Sequence, residues 1–122
     1  MQTTDRIGSR LLLATAGVIG AVGVMAAAGA SHAAESRDLS AIAMICLAHG
    51  PALLALGLLA QQRWLRIAGL VLAAGTVVFT ADLALREFQG HGLFAMAPPL
   101  AGGAMILGWL GIAVAGAIGA RK

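Results

Sequence analysis

LSAIAMICLAHGPALLALGLLAQ, residues 39–61, decides how this chain is read. The stretch stays apolar on every face, and about 20 such residues rising 1.5 Å each match the hydrocarbon thickness of a bilayer. It is therefore read as a membrane-spanning helix. His49 and Pro51 near its middle are the oddities, because lipid offers no water to an imidazole and no partner to the carbonyl that a proline leaves free. Both are expected to face other helices rather than lipid.

Composition agrees with this reading. Of 122 residues, 60% are hydrophobic and 11% charged, against a soluble average of about 25% charged. The mean hydropathy is +0.92. A formal charge of +3 would suit nucleic acid only if the basic residues clustered on one element. Here they stand singly or in pairs at the ends of apolar runs, so no nucleic-acid partner is expected. The lone cysteine, Cys46, lies inside a span and is read as a small hydrophobe.

Outward from residues 39–61, three further spans follow. Residues 11–31 begin with LLLATAGVIGAVGVMAAAGA, whose Gly17, Gly20 and Gly23 with Ala16, Ala21 and Ala27 allow close backbone approach. The polar residues 1–10 before it read as a short cytoplasmic tail. Ser31-His32-Ala33 resembles a signal-peptide cleavage site, but the apolar run exceeds the roughly 7–15 residues of such signals, so an uncleaved helix is expected. Residues 31–38 connect to the next span, with Asp38 or Ser40 as its predicted cap; Ser9, Ser31, Ser36 and Ser40 all stand at segment ends, where capping is their ordinary role. QQRWLR (61–66) reads as a tight turn with Trp64 as an interface anchor. Residues 65–86 form the third span, with Thr76, Thr80 and Asp82 as its polar interior. A loop or re-entrant turn around Gly90, His91 and Gly92 leads to Pro98, Pro99 and a fourth span over 98–120. The fold class is all-α, a four-helix transmembrane bundle forming a single integral domain over residues 1–122.

Six of the eight Lys and Arg residues (Arg6, Arg10, Arg63, Arg66, Arg121, Lys122) fall on one side of this topology, and only Arg37 and Arg86 on the other. The positive-inside rule then places both termini in the cytoplasm.

The residues that can carry chemistry are His32, His49, Asp82 and Arg86, a candidate intramembrane polar site. Asp82 and Arg86, four apart, share a helical face and can pair; the ordinary reading is a local ion pair, the functional one a proton relay or substrate carboxylate. His49 is read as a neutral imidazole bonded to a threonine or a carbonyl on a neighbouring helix, with ligand, quinone or proton handling as its functional alternative. Haem or metal ligation by two histidines lacks the spacing that marks such sites. No phosphate loop, zinc-protease helix or nucleophile elbow is present. No catalytic residue, cofactor or metal is therefore predicted. The glycines and alanines of the fourth span read as packing surface, and Trp109 as a packed or lipid-facing aromatic.

AAAGASHA (26–33), LAHGPALLALGLLA (47–60) and PLAGGAMILGWL (99–110) together resemble the domain-of-unknown-function 423 family, small bacterial inner-membrane proteins. His32 and His49 match its two histidines, and Pro99, Gly102, Gly108 and Trp109 its last-helix signature. Ala30 and Ala33 stand where the family has glycines, and Ala48 where it has an aromatic. The resemblance implies a four-helix inner-membrane protein with no established activity. The expected function is thus a non-enzymatic accessory or structural subunit, whose partners are the lipid bilayer and a larger membrane complex or a homo-oligomer. A small four-helix transporter or proton-coupled exporter is the alternative, although such proteins use a carboxylate in the first helix and none lies between Asp5 and Glu35.

Overall fold

The computed structural model describes residues 2–32 and 36–119, and these form four helices in chain order: α1 (Gln2–His32), α2 (Arg37–Leu59), α3 (Arg63–Gln89) and α4 (Ala97–Gly119). Each is long and apolar enough to cross a membrane. Large apolar side chains such as Val18, Met44, Leu58, Ile106, Leu110 and Val114 point outward. Such a surface suits lipid, whereas a water-soluble monomer rarely exposes contiguous apolar patches of more than a few hundred Å². This is the architecture of a multi-pass membrane protein.

The helices extend past the apolar runs. Residues 2–10, read from sequence as a tail, continue α1, and Arg63 to Arg66 open α3 rather than lying in the turn, which shrinks to residues 60–62. Hydropathy marks where lipid begins, but a helix continues while its backbone hydrogen bonds do. At the start of α2 the cap is Ser36, not Asp38 or Ser40: its side chain accepts from the Leu39 amide at 3.1 Å. Asp38 lies in the first turn, where its charge complements the positive end of the helix dipole. Glu35, Arg121 and Lys122 lie outside the described residues.

α1 pairs with α2 and α3 with α4 as two hairpins, joined by α2 against α3 and by a smaller contact of α1 with α3. α4 approaches no helix backbone except that of α3. The main core is built from Leu12 and Ala16 of α1, Leu53 and Leu56 of α2, Leu72 and Ala73 of α3 and Met105 of α4. A second cluster holds Ile19, Ala26, Ile42 and Cys46.

The α3–α4 seam depends on two glycines. A Cβ on Gly75 would stand 2.8 Å from the Ala101 carbonyl oxygen and 2.9 Å from the Met105 nitrogen, and one on Gly108 would stand 2.9 Å from the Leu72 backbone. Backbone atoms cannot yield as a side chain can. Gly103 and Gly116 of α4, by contrast, have open space around them. Gly75→Ala and Gly108→Ala are therefore expected to destabilise the protein by about 1–3 kcal/mol, the usual range for overpacking. Gly103→Ala and Gly116→Ala should leave stability unchanged or slightly raised. Reversible unfolding in mixed detergent micelles distinguishes the two pairs.

Candidate functional site

Polar side chains inside the spans gather along the face where α2 meets α3. Cys46 and His49 are one turn apart on α2; Thr80 and Thr76 are one turn apart on α3. Because the helices run antiparallel, the pairs meet as two rungs. Cys46 Sγ and Thr80 Oγ1 share a hydrogen bond of 3.2 Å, and His49 Nδ1 lies 2.8 Å from Thr76 Oγ1. All four residues are buried.

The direction of the second rung follows from its partners. Trp109 of α4 places its indole Nε1 3.1 Å from His49 Nε2. An indole nitrogen can only donate, so Nε2 accepts, and the neutral ring carries its proton on Nδ1. Nδ1–H therefore donates to Thr76 Oγ1, whose own hydroxyl donates to the Leu72 carbonyl at 2.7 Å. The result is a directed chain, Trp109 to His49 to Thr76 to Leu72, that reaches from α4 through α2 to α3. The two rings are tilted by 58° with centroids 5.6 Å apart, so they meet edge to face rather than stacked.

Pro51 sits two residues from His49 without breaking α2. The neighbouring Gly50 is buried against α1, where a Cβ would touch Gly20 at 3.4 Å.

Asp82 belongs to a separate arrangement near the far end of α3. It is fully buried. Arg86 Nε donates to Oδ2 at 2.8 Å, and the Leu93 amide donates to Oδ1 at 2.8 Å. The carboxylate thus joins α3 to the α3–α4 loop. Gly90 ends the helix in a left-handed conformation, φ +80, as glycine does without strain. Gly92 has no side chain because a Cβ there would collide with Asp82 Oδ1. At the same end, Ser36 Oγ donates to Glu87 Oε2 at 2.7 Å and ties the α1–α2 connection to α3.

Of the four residues singled out from sequence, the structure brings Asp82 and Arg86 together. His49 shares no hydrogen bond with either. His32, exposed at the end of α1, lines a crevice with Leu39 and Glu87 between α1, α2 and α3. Trp109, read from sequence as a packed or lipid-facing aromatic, is the sole residue of α4 with a side-chain nitrogen or oxygen, and it gives that N–H to His49. Neither the Ser36–Glu87 bond nor the bond from the Leu93 amide follows from the sequence. Among the described residues no group of three His, Cys, Asp or Glu side chains converges as a metal site would require.

Chemically, the buried polar groups of the spans are engaged. Both nitrogens of His49 and both oxygens of Asp82 have partners, so any ligand or proton taken up at either must first break an existing bond.

Comparison with known proteins gives one family: the model for a protein of unknown function (DUF423) matches residues 19–102. The chain belongs to this family. The matched region contains His32, His49, Thr76 and Asp82 and ends before Trp109. No curated protein and no solved structure matches the chain.

Two consequences can be measured. His49→Leu and Trp109→Phe, made singly and together, should show a coupling of about 0.6–2 kcal/mol, the scale of interhelical hydrogen bonds in membranes; additive effects would mean that the bond contributes nothing. Asp82→Ala should release the Leu93 amide, raising its hydrogen exchange about tenfold or more, since hydrogen bonds to charged groups contribute about 1.5–3 kcal/mol. Exchange confined to residues 90–96, with the α3 interior unaffected, is the expected pattern.

Proposed function

We propose that this chain is a non-enzymatic accessory or structural component of the bacterial inner membrane, with both termini in the cytoplasm. One observation carries the reading: the polar side chains buried within the spans are consumed in bonds between helices and loops, Trp109 to His49 to Thr76, Cys46 to Thr80, and Arg86 and Leu93 to Asp82. Groups committed in this way fix how helices sit and leave no vacant position for a reacting molecule. The orientation is supported by Arg6, Arg10, Arg63 and Arg66 lying at one end, where Arg66 bonds Asp5, and by Arg37 and Arg86 lying at the other. The partners are the lipid bilayer and a larger membrane complex or further copies of the chain, with no role for nucleic acid.

A small transporter or proton-coupled exporter is the second reading. What favours it is Asp82, a carboxylate buried within a span, since such groups often mark transport paths. The two readings separate on purification from native membranes in mild detergent followed by mass spectrometry, with the same protein reconstituted into vesicles. A stoichiometric larger partner, or a defined homo-oligomer, together with no proton or cation flux is expected. Flux that is abolished by Asp82→Asn would overturn the accessory reading in favour of transport.

A further inference from the structure

At the end of the molecule where α1 and α3 both begin, Arg6, Ser9 and Arg10 recur at spacings of three and four and so share one face of α1. With Asp5 and Arg66 they line a shallow dish of about 330 Å³. Three guanidinium groups face one carboxylate there, which leaves a charge of +2.

Arg66 is laid across α1 at Gly8, where a Cβ would stand 2.7 Å from its Cδ. Its Nη1 donates to Asp5 Oδ1 at 2.7 Å, and Nη2 donates to the Ala60 carbonyl at 3.0 Å and reaches that of Gln61 at 3.4 Å. The side chain is only 11% exposed. Yet its Nε is buried without an acceptor, the sole buried side-chain nitrogen or oxygen in that state among the described residues. Buried donors are almost always paired, and a charged one left alone carries a large desolvation cost. Arg6 and Arg10 form no ion pair among the described residues. The exposed guanidinium groups of Arg6 and Arg10 therefore give the dish donors without matching acceptors.

Its setting adds a second chemistry. Ile7 and Leu11, which follow directly on Arg6 and Arg10, are both more than half exposed, so the cationic face passes at once into the apolar surface of the span. A molecule that satisfies both carries an anionic group and acyl chains. We propose that this dish binds the phosphate of an acidic phospholipid, with Arg6, Arg10 and the Ser9 hydroxyl donating to its oxygens and its chains lying along Ile7 and Leu11. An acidic headgroup fits better than a zwitterionic one because the lining sets three guanidinium groups against one carboxylate, Asp5, whose Oδ1 is already held by Arg66.

The test is native mass spectrometry of the intact protein released from detergent micelles, titrated with dioleoyl phosphatidylglycerol, with dioleoyl phosphatidylcholine and, separately, with inorganic phosphate as competitor. The expected result is one phosphatidylglycerol held in preference to phosphatidylcholine and not displaced by phosphate. Arg6→Gln or Arg10→Gln should weaken it about fivefold each, and the double variant about thirtyfold, as follows from the contribution of one basic residue near an anionic headgroup. Equal binding of the two lipids, or a double variant that retains phosphatidylglycerol at full affinity, would overturn the proposal. Displacement by inorganic phosphate would overturn the lipid assignment. Circular dichroism confirms helicity in each variant, and the single variants carry the test if the double variant does not fold.

Discussion

Inside a bilayer a donor or acceptor without a protein partner has no water to turn to, and that constraint shapes this molecule more than any apolar contact. Lipid chains are as apolar as leucine, so burying Leu12 or Leu53 between helices yields far less than it would in water. What the helices can gain from one another is close packing and the satisfaction of polar groups. His49 does the second for three helices at once: it accepts from Trp109 on α4 and donates to Thr76 on α3 from its own place on α2. Because the indole can only donate, a single tautomer serves, and every link in the chain has a fixed direction.

Packing is concentrated elsewhere. α4 meets the backbone of α3 alone, and it does so through Gly75 and Gly108, which bring the two main chains together where any side chain would hold them apart. The attachment of α4 is thus one of shape along its length to α3, with a single polar reach to α2. The Asp82 carboxylate secures the loop that feeds α4, through Arg86 on one oxygen and Leu93 on the other. Seam, cross-link and loop anchor act on the same helix by different means, which is why a helix whose backbone adjoins only one neighbour still has a defined place.

Much of this can be read from the sequence, and the rest has physical reasons for staying hidden. The four spans follow from hydropathy because their apolar surface faces lipid on most sides. The Asp82–Arg86 pair follows from a spacing of four. His49 stands out as an imidazole in lipid, and a threonine was among its expected partners. The identity of that threonine needs the register of α2 against α3. A clue to it lies in the matching one-turn spacings of Cys46 and His49 on one helix and of Thr76 and Thr80 on the other. Trp109 was harder, since an aromatic in a span is equally suited to lipid. The start of α1 was misread because polar residues 2–10 look like a tail, although Asp5 is held by Arg66. Capping by a serine at this segment end was legible, but Ser36, Asp38 and Ser40 have similar capping chemistry and local sequence does not rank them.

The chain has no tyrosine and two tryptophans. One of these, Trp64, is exposed at the end of α3 beside Arg63; the other, Trp109, gives its N–H to an imidazole. The molecule therefore carries its own optical probe of the α2–α4 cross-link. With Trp64 replaced by phenylalanine, all remaining ultraviolet emission arises from an indole whose excited state senses the ring it is bonded to. The colour and lifetime of that emission report directly on whether α4 is engaged with α2, with no label attached.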